Sequence, residues 1–382
     1  LTLTTSTTIL NYGSNDTVSI SSTTNGGSIG TPVANTLTIG SVSVYQNTQQ
    51  SSDTPGSITV SGSSIASLTG PVFLSGLGTS GGKGATVNIY TSSGTVPFGS
   101  TGNQFQVDVS GDSGGGDAGT FNLYGGAATV SVYDGGAINA SAFGSNGKGG
   151  AINLNSGTLA GAGASNACLF ATGYGSGKGG AITINSSGTV PIGNDSASIA
   201  LCAGPGATGD SGTIHLSGST VNLDGDALFV APTSGKGATV KVDNTSTLSI
   251  TNTINANGAT NGSGGLVDLT ATTAFTLGDE IHADGAGSGD GGAVKLNNAP
   301  TLDLRGLAES SITAHGGPDG IGGVVIVQSV ASFNVNRIMN VSAGANVLDT
   351  SKFDGSIQLN SVNCQQWLTS YDWPTSYWNC VH

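Results

Sequence analysis

Charge is scarce in this chain. Only 8% of its 382 residues are Asp, Glu, Lys or Arg, and nine of those are basic. Helices need charged residues on their solvent faces, so this shortage argues against a mainly helical fold. With so little Lys and Arg, no basic stripe can form, which excludes a nucleic-acid partner. The formal net charge of −13 fits a solvated acidic surface. No run of about 20 apolar residues occurs, so no transmembrane segment is expected. Met339 is the only methionine, and the sequence opens at Leu1 in the polar, strand-like stretch LTLTTSTTIL. A processed, exported chain is the expectation from that opening.

Glycine is what the chain has in excess, with 65 residues. They follow no G-X-Y period, which excludes collagen. Low-complexity disorder would need fewer apolar residues than the 36% present, and these recur regularly.

The recurrence is a repeat. GKGATVNIY, GKGGAINLN, GKGGAITIN and GKGATVKVD begin at Gly82, Gly147, Gly177 and Gly235. Their first apolar residues belong to one series: Ile58, Val87, Phe121, Ile152, Ile182, Ile214, Val240, Val267, Val294, Val325 and Ile357. The intervals vary from 26 to 34 residues, as in a solenoid whose loops vary while its strands stay in register. Two residues beyond each anchor stands a second apolar residue, with a polar one usually between, which predicts a strand with one face inward. A second strand follows, marked by Val96, Val130, Leu159, Val190, Val221, Leu248, Phe275, Leu302 and Phe333. A less regular third is marked by Ile138, Phe170, Ile199, Ile254, Ile281 and Ile312.

The fold expected is therefore all-β: a right-handed, single-stranded parallel β-helix with three short strands per coil and a capped C-terminal end. Residues 1–55 read as an N-terminal strand and short-coil or capping region, 56–360 as the β-helix, and 361–382 as a cap or tail. The Gly pairs 149–150, 179–180, 264–265, 291–292 and 322–323 read as tight corners permitting positive φ. Four residues before the anchors, Lys83, Asp117, Lys148, Lys178, Asp210 and Lys236 form a column of mixed charge. Such a column helps fix coil register, although each exposed pair contributes less than about 1 kcal/mol.

Gly-Gly-Ala-Ile-Asn-Leu at 149–154 and Gly-Gly-Ala-Ile-Thr-Ile at 179–184 resemble coils of secreted bacterial β-helix adhesins. These are the filamentous-haemagglutinin-like passengers of two-partner secretion and the autotransporter passengers. The resemblance covers roughly residues 56–360. It implies surface display, adhesion or matrix building. The Asn-Pro-Asn motifs of that family's secretion domain do not occur in these residues.

Four cysteines in an exported chain favour disulfides. Cys364 with Cys380 would close a short loop near the C-terminus. Cys168 and Cys202 lie on neighbouring coils, offset by two residues, and read equally as a disulfide or as two buried thiols. Some two-partner adhesins resemble this chain in having a C-terminal disulfide loop used for anchoring, on the strength of Cys364 and Cys380 alone. Trp367, Tyr371, Trp373, Tyr377 and Trp378 crowd the same tail, as an aromatic cap or as a contact for a partner or glycan. Leu1 to Leu10 reads as an edge strand able to pair with a second molecule, so self-association into fibres through the chain ends is expected.

Chemistry is harder to find. Asp279–Glu280, His315 and Arg337 follow one another in the order of polygalacturonase residues, but their local motifs differ, and no enzyme is expected. GDSGGGDAG at 111–119 offers Asp112 and Asp117 as weak Ca²⁺ ligands, and no other cofactor is expected. The reading is an extracellular structural or adhesive β-helix, at the cell surface or in the matrix. The alternatives are a carbohydrate-binding or polysaccharide-cleaving β-helix, or a viral tail spike.

Overall fold

The computed structural model describes the backbone of residues 2–3, 7–11, 17–21, 36–39, 42–46, 55–66, 70–78, 81–99, 102–134, 137–162, 168–298, 301–303, 311–330, 332–334, 338–344, 355–360 and 378–381. The fold is an all-β parallel β-helix solenoid, with one short 3₁₀ turn at Gly225–Ala227 as its helical content among these residues.

The first ladder carries the anchors. Ile58, Val87, Phe121, Ile152, Ile182 and Ile214 pair in parallel register, each on the next coil's anchor. The ladder continues through Val240, Val267, Val294, Val325 and Ile357. Strands within residues 1–55 join the same stack, since Val18 pairs with Ile58. At the other end Trp378–Val381 pairs with Ile357–Asn360. Parallel pairing follows from the repeat: each strand returns to its place after a full coil, running in the same direction.

Alternation along these strands separates core from surface. In Thr86–Tyr90 the residues Val87 and Ile89 are fully buried, while Thr86, Asn88 and Tyr90 face out. The second ladder behaves alike: Val96 pairs with Val130, Val130 with Leu159, and Val190 with Val221, followed by Leu248, Phe275, Leu302 and Phe333. Phe98, Phe105 and Phe121 fill the core together, with centroids 6.0 and 5.6 Å apart.

The third ladder differs in detail from its sequence reading. Val107, Ile138, Leu169, Leu201 and Leu228 form its inward column. Leu169 thus takes the place expected for Phe170, and Leu201 that expected for Ile199. In Cys168–Phe170 and Ala200–Cys202 the residues flanking the inward leucine are also small or apolar and mostly buried, so alternation is lost. Further on, Ile254, Ile281, Ile312 and Met339 stack as a separate short ladder.

The Gly pairs act through close approach rather than through φ. None of the five pairs has a positive φ. A Cβ on Gly150, Gly180, Gly265, Gly292 or Gly323 would instead strike a backbone carbonyl of the preceding coil. A Cβ on the first Gly of each pair would strike one of the following coil. The second Gly also closes its own coil: Gly180 donates to the Ala171 carbonyl at 2.7 Å, and Gly292 to that of Ala283 at 2.7 Å. Between first and second strands the corner is held by buried hydroxyls. Ser186 Oγ donates to the Gly157 carbonyl, and Thr245 Oγ1 to that of Thr247, both at 3.0 Å.

Candidate functional surfaces

The charged column lies on the loop that enters the first strand. Its backbone is itself a ladder: Gly84 donates to Asp117, Ala118 to Lys148, Gly149 to Lys178, Gly179 to Asp210 and Ser211 to Lys236. The acids do more than oppose lysines. Asp117 Oδ1 accepts the Lys148 backbone N–H at 3.0 Å, and Asp210 Oδ1 accepts that of Lys236 at 3.0 Å. Asp290, which stands in the same column four residues before Val294, does the same for Ile321: its Oδ1 accepts that N–H at 3.0 Å. Lys178 Nζ and Asp210 Oδ2 form an ion pair at 2.9 Å on an exposed surface. The Asp210 carboxyl lies below the ordinary range because it accepts the Lys236 amide and, next, the Lys178 ammonium. Lys83 heads the column on the loop before Thr86–Tyr90.

Asp112 sits in the neighbouring Gly-rich turn. Its Oδ2 accepts the N–H groups of Gly81 at 2.6 Å and Gly114 at 2.9 Å, and these two bonds hold the carboxyl below its usual range. One oxygen of Asp117 and one of Asp112 are thus engaged by backbone amides. Among the described residues no three His, Cys, Asp or Glu are placed to share a metal ion.

The outer face of the first ladder changes character along the stack. Asn122 Nδ2 donates to Asn88 Oδ1 at 2.9 Å, and Asn153 Nδ2 to Asn122 Oδ1 at 2.8 Å, giving an amide ladder. Beside it Tyr90 and Tyr124 stack with centroids 4.7 Å apart and planes 9° from parallel. Burial, and then the neighbouring Tyr124, raise the Tyr90 phenol. The two rings cover one face of each other, and Tyr124 remains exposed. Further on, His215 Nε2 meets Asp243 Oδ1 at 2.8 Å, and Lys241 Nζ meets Asp243 Oδ2 at 2.6 Å. Burial would raise the Asp243 carboxyl, but its bonds to Lys241 and His215 outweigh that and lower it. Phe143, Tyr174 and Phe229 are exposed elsewhere on the described surface.

Cys168 and Cys202 form a disulfide with a Cα–Cα distance of 6.2 Å. The offset of two residues is present, since Cys168 pairs with Ala200 and Phe170 with Cys202. That diagonal remains within the reach of a disulfide, so no bulge is needed. The bridge staples one coil of the third ladder to the next.

Arg337 lies outside the described residues. His315 Nε2 approaches Asp284 Oδ2 at 3.4 Å, and Glu280 Oε2 lies 2.8 Å from His282 Nε2. His282, Asp284 and Thr313 were missed in sequence. Setting Ile254-Asn255-Ala256-Asn257 above Ile281-His282-Ala283-Asp284 and Ile312-Thr313-Ala314-His315 reveals the stacking. Glu280, His282 and Thr313 are ordered like an acid, a base and a nucleophile. Thr313 is buried, however, and its hydroxyl donates to Asp284 at 2.7 Å, which disfavours a nucleophilic role.

Cys364, Trp367, Tyr371, Trp373 and Tyr377 lie outside the described residues. Trp378 and Cys380 are placed by their backbone, in register with Ile357 and Leu359. No helix among the described residues is long and apolar enough to cross a membrane. No family model, curated protein or solved structure matches the chain.

Proposed function

We propose that this chain is an extracellular structural or adhesive β-helix protein of the cell surface or matrix. The observation that carries this reading is the continuous first ladder, paired coil on coil from Thr17–Ser21 to Trp378–Val381. A solenoid built this way offers long outer faces to a partner and needs no central cavity. The inter-coil disulfide supports an oxidising location. The adhesin-like Gly-Gly-Ala-Ile coils support display at a surface. Strand edges at the two ends are the places where copies would join into fibres.

A carbohydrate ligand is the second reading. It is favoured by the stacked Tyr90–Tyr124 pair, of which Tyr124 is exposed, beside the amide ladder, since aromatic rings with a polar tip and side-chain amides suit a sugar surface. A glycan array combined with a reducing-sugar assay tests both. The structural or adhesive reading expects no sugar release, with or without glycan binding. Sugar release that is lost in Glu280→Gln would overturn it in favour of an enzyme.

A further inference from the structure

The outer face of the first ladder drops from a ridge to a low step between two coils. The Tyr90 and Tyr124 centroids are 4.7 Å apart, close to the coil spacing, so the rings follow one another along the solenoid. Tyr90 belongs to the preceding coil and covers the Tyr124 face turned that way. Beyond Tyr90 the stack is closed, since its register partner Ser61 is buried. The other face of Tyr124 turns toward the following coil. There the register partner is Asn155, and after it Asn185, both shorter than tyrosine and both exposed. Tyr124 itself is 44% exposed, whereas Tyr90 is half-buried. At the same coil the outward residue that opens the strand shrinks, from Thr86 and Thr120 to Ala151 and Ala181. Tyr124 is thus the riser of a step. Its tread is made by Ala151–Ser156 and Ala181–Ser186, about 10 Å across two coils at the ordinary strand spacing.

The amide ladder ends on the same tread. Asn153 Nδ2 donates to Asn122 Oδ1 and Asn122 Nδ2 to Asn88 Oδ1, so each link runs toward the earlier coil. Asn153 closes the row, with Thr183 as its register partner on the next coil. A hydroxyl both donates and accepts, so it suits either half of that terminal amide. The four strands from Thr86–Tyr90 to Ala181–Ser186 contain no Asp, Glu, Lys or Arg. An anionic ligand would find no cation on them and would meet a chain of net charge −13. What fits the step is an uncharged ring with an apolar face for Tyr124 and a rim of hydroxyls for the amides, which describes a pyranose.

On the carbohydrate reading, on which this assignment rests, we propose that the step at Tyr124, Asn153 and Asn155 is a subsite for one pyranose unit of a neutral polysaccharide. The sugar stacks on the open face of Tyr124, and its hydroxyls meet the amides of Asn153 and Asn155. The regular ladder of the preceding coils acts as the support that fixes Tyr124 from behind and Asn153 from the side.

Isothermal titration of the full chain with cellohexaose, xylohexaose and laminarihexaose tests this, with polygalacturonate as the acidic comparison. At least one neutral hexasaccharide should bind, and more tightly than polygalacturonate. Tyr124→Ala should weaken that binding about tenfold and Asn153→Ala about fivefold, the order of one lost ring contact and one lost hydrogen bond. Tyr124→Phe keeps the ring face and should bind nearly as the wild type does. Thr189→Ala, exposed on the second ladder, should leave binding unchanged. Binding undiminished in both Tyr124→Ala and Asn153→Ala overturns the subsite and leaves the carbohydrate reading to another surface. Binding of none of the neutral hexasaccharides overturns both. Tighter binding of polygalacturonate overturns the ligand class. Should a variant not fold, the wild type decides by its side-chain amide resonances. Those of Asn153 and Asn155 should shift with the bound hexasaccharide while those of Asn257 stay, and the opposite pattern overturns the subsite equally.

Discussion

Gly180 lies so close beneath the carbonyl of Gly150, one coil earlier, that a single added methyl would collide with that oxygen. The same relation links Gly292 to Gly265 and Gly323 to Gly292. It sets the distance at which coils stack, about 4.8 Å between strands. Gly180→Ala should therefore cost about 1–3 kcal/mol or more, because the coils must part to admit the methyl. Gly204→Ala is the comparison, since its Cβ would meet only the Phe229 carbonyl at 3.3 Å. Urea unfolding of the two variants should show a much larger loss for Gly180→Ala. Equal losses would mean that corner packing does not set the stack.

The Cys168–Cys202 bridge closes a 34-residue separation. Loop-closure entropy for a loop of that size is about 3–4 kcal/mol. Reduction, or Cys168→Ala with Cys202→Ala, should lower stability by roughly that amount and leave the circular dichroism of the folded state unchanged. Mass spectrometry of a non-reducing digest should recover the linked peptides. Recovery of both cysteines as free thiols in the protein from its native source would contradict the bridge.

Acid should loosen the loop column. Asp210 is held below the ordinary carboxylate range first by the Lys236 amide and then by Lys178. A lowered folded-state value means stability that is fully present above the unfolded value, about pH 4, and lost as pH falls through the lower folded one. Asp112 acts in the same direction through the Gly81 and Gly114 amides. Thermal melts from pH 6 down to about pH 2 should fall less steeply in Asp210→Asn than in the wild type. Lys178→Gln should change the slope less, because its ion pair is exposed. A slope unaltered by Asp210→Asn would remove Asp210 from the account.

Much of the fold is legible in the sequence. The anchors could be read because Val, Ile or Phe recurs behind a Gly corner, and every anchor from Val87 to Ile357 falls in register. The third ladder was read one or two residues out at Phe170 and Ile199. There the strand is flanked by cysteines and alanine that are themselves buried, so its two faces look alike in sequence. The role of the Gly pairs was misread for another reason. Freedom of φ is a property of one residue, whereas the approach of Gly180 to Gly150 belongs to two coils. The Glu280–His282–Thr313–Asp284 chain was hidden in the same way. Its members lie up to 33 residues apart in sequence and become neighbours only through the pairing of Ile281 with Ile312.

The central claim is that this solenoid works outside the cell as a structural or adhesive element. Immunogold electron microscopy of the native source, with antibody raised against the purified chain, tests it most directly. Gold along the cell surface, on fibres or in the surrounding matrix is the predicted result. Gold confined to the cell interior would contradict the claim.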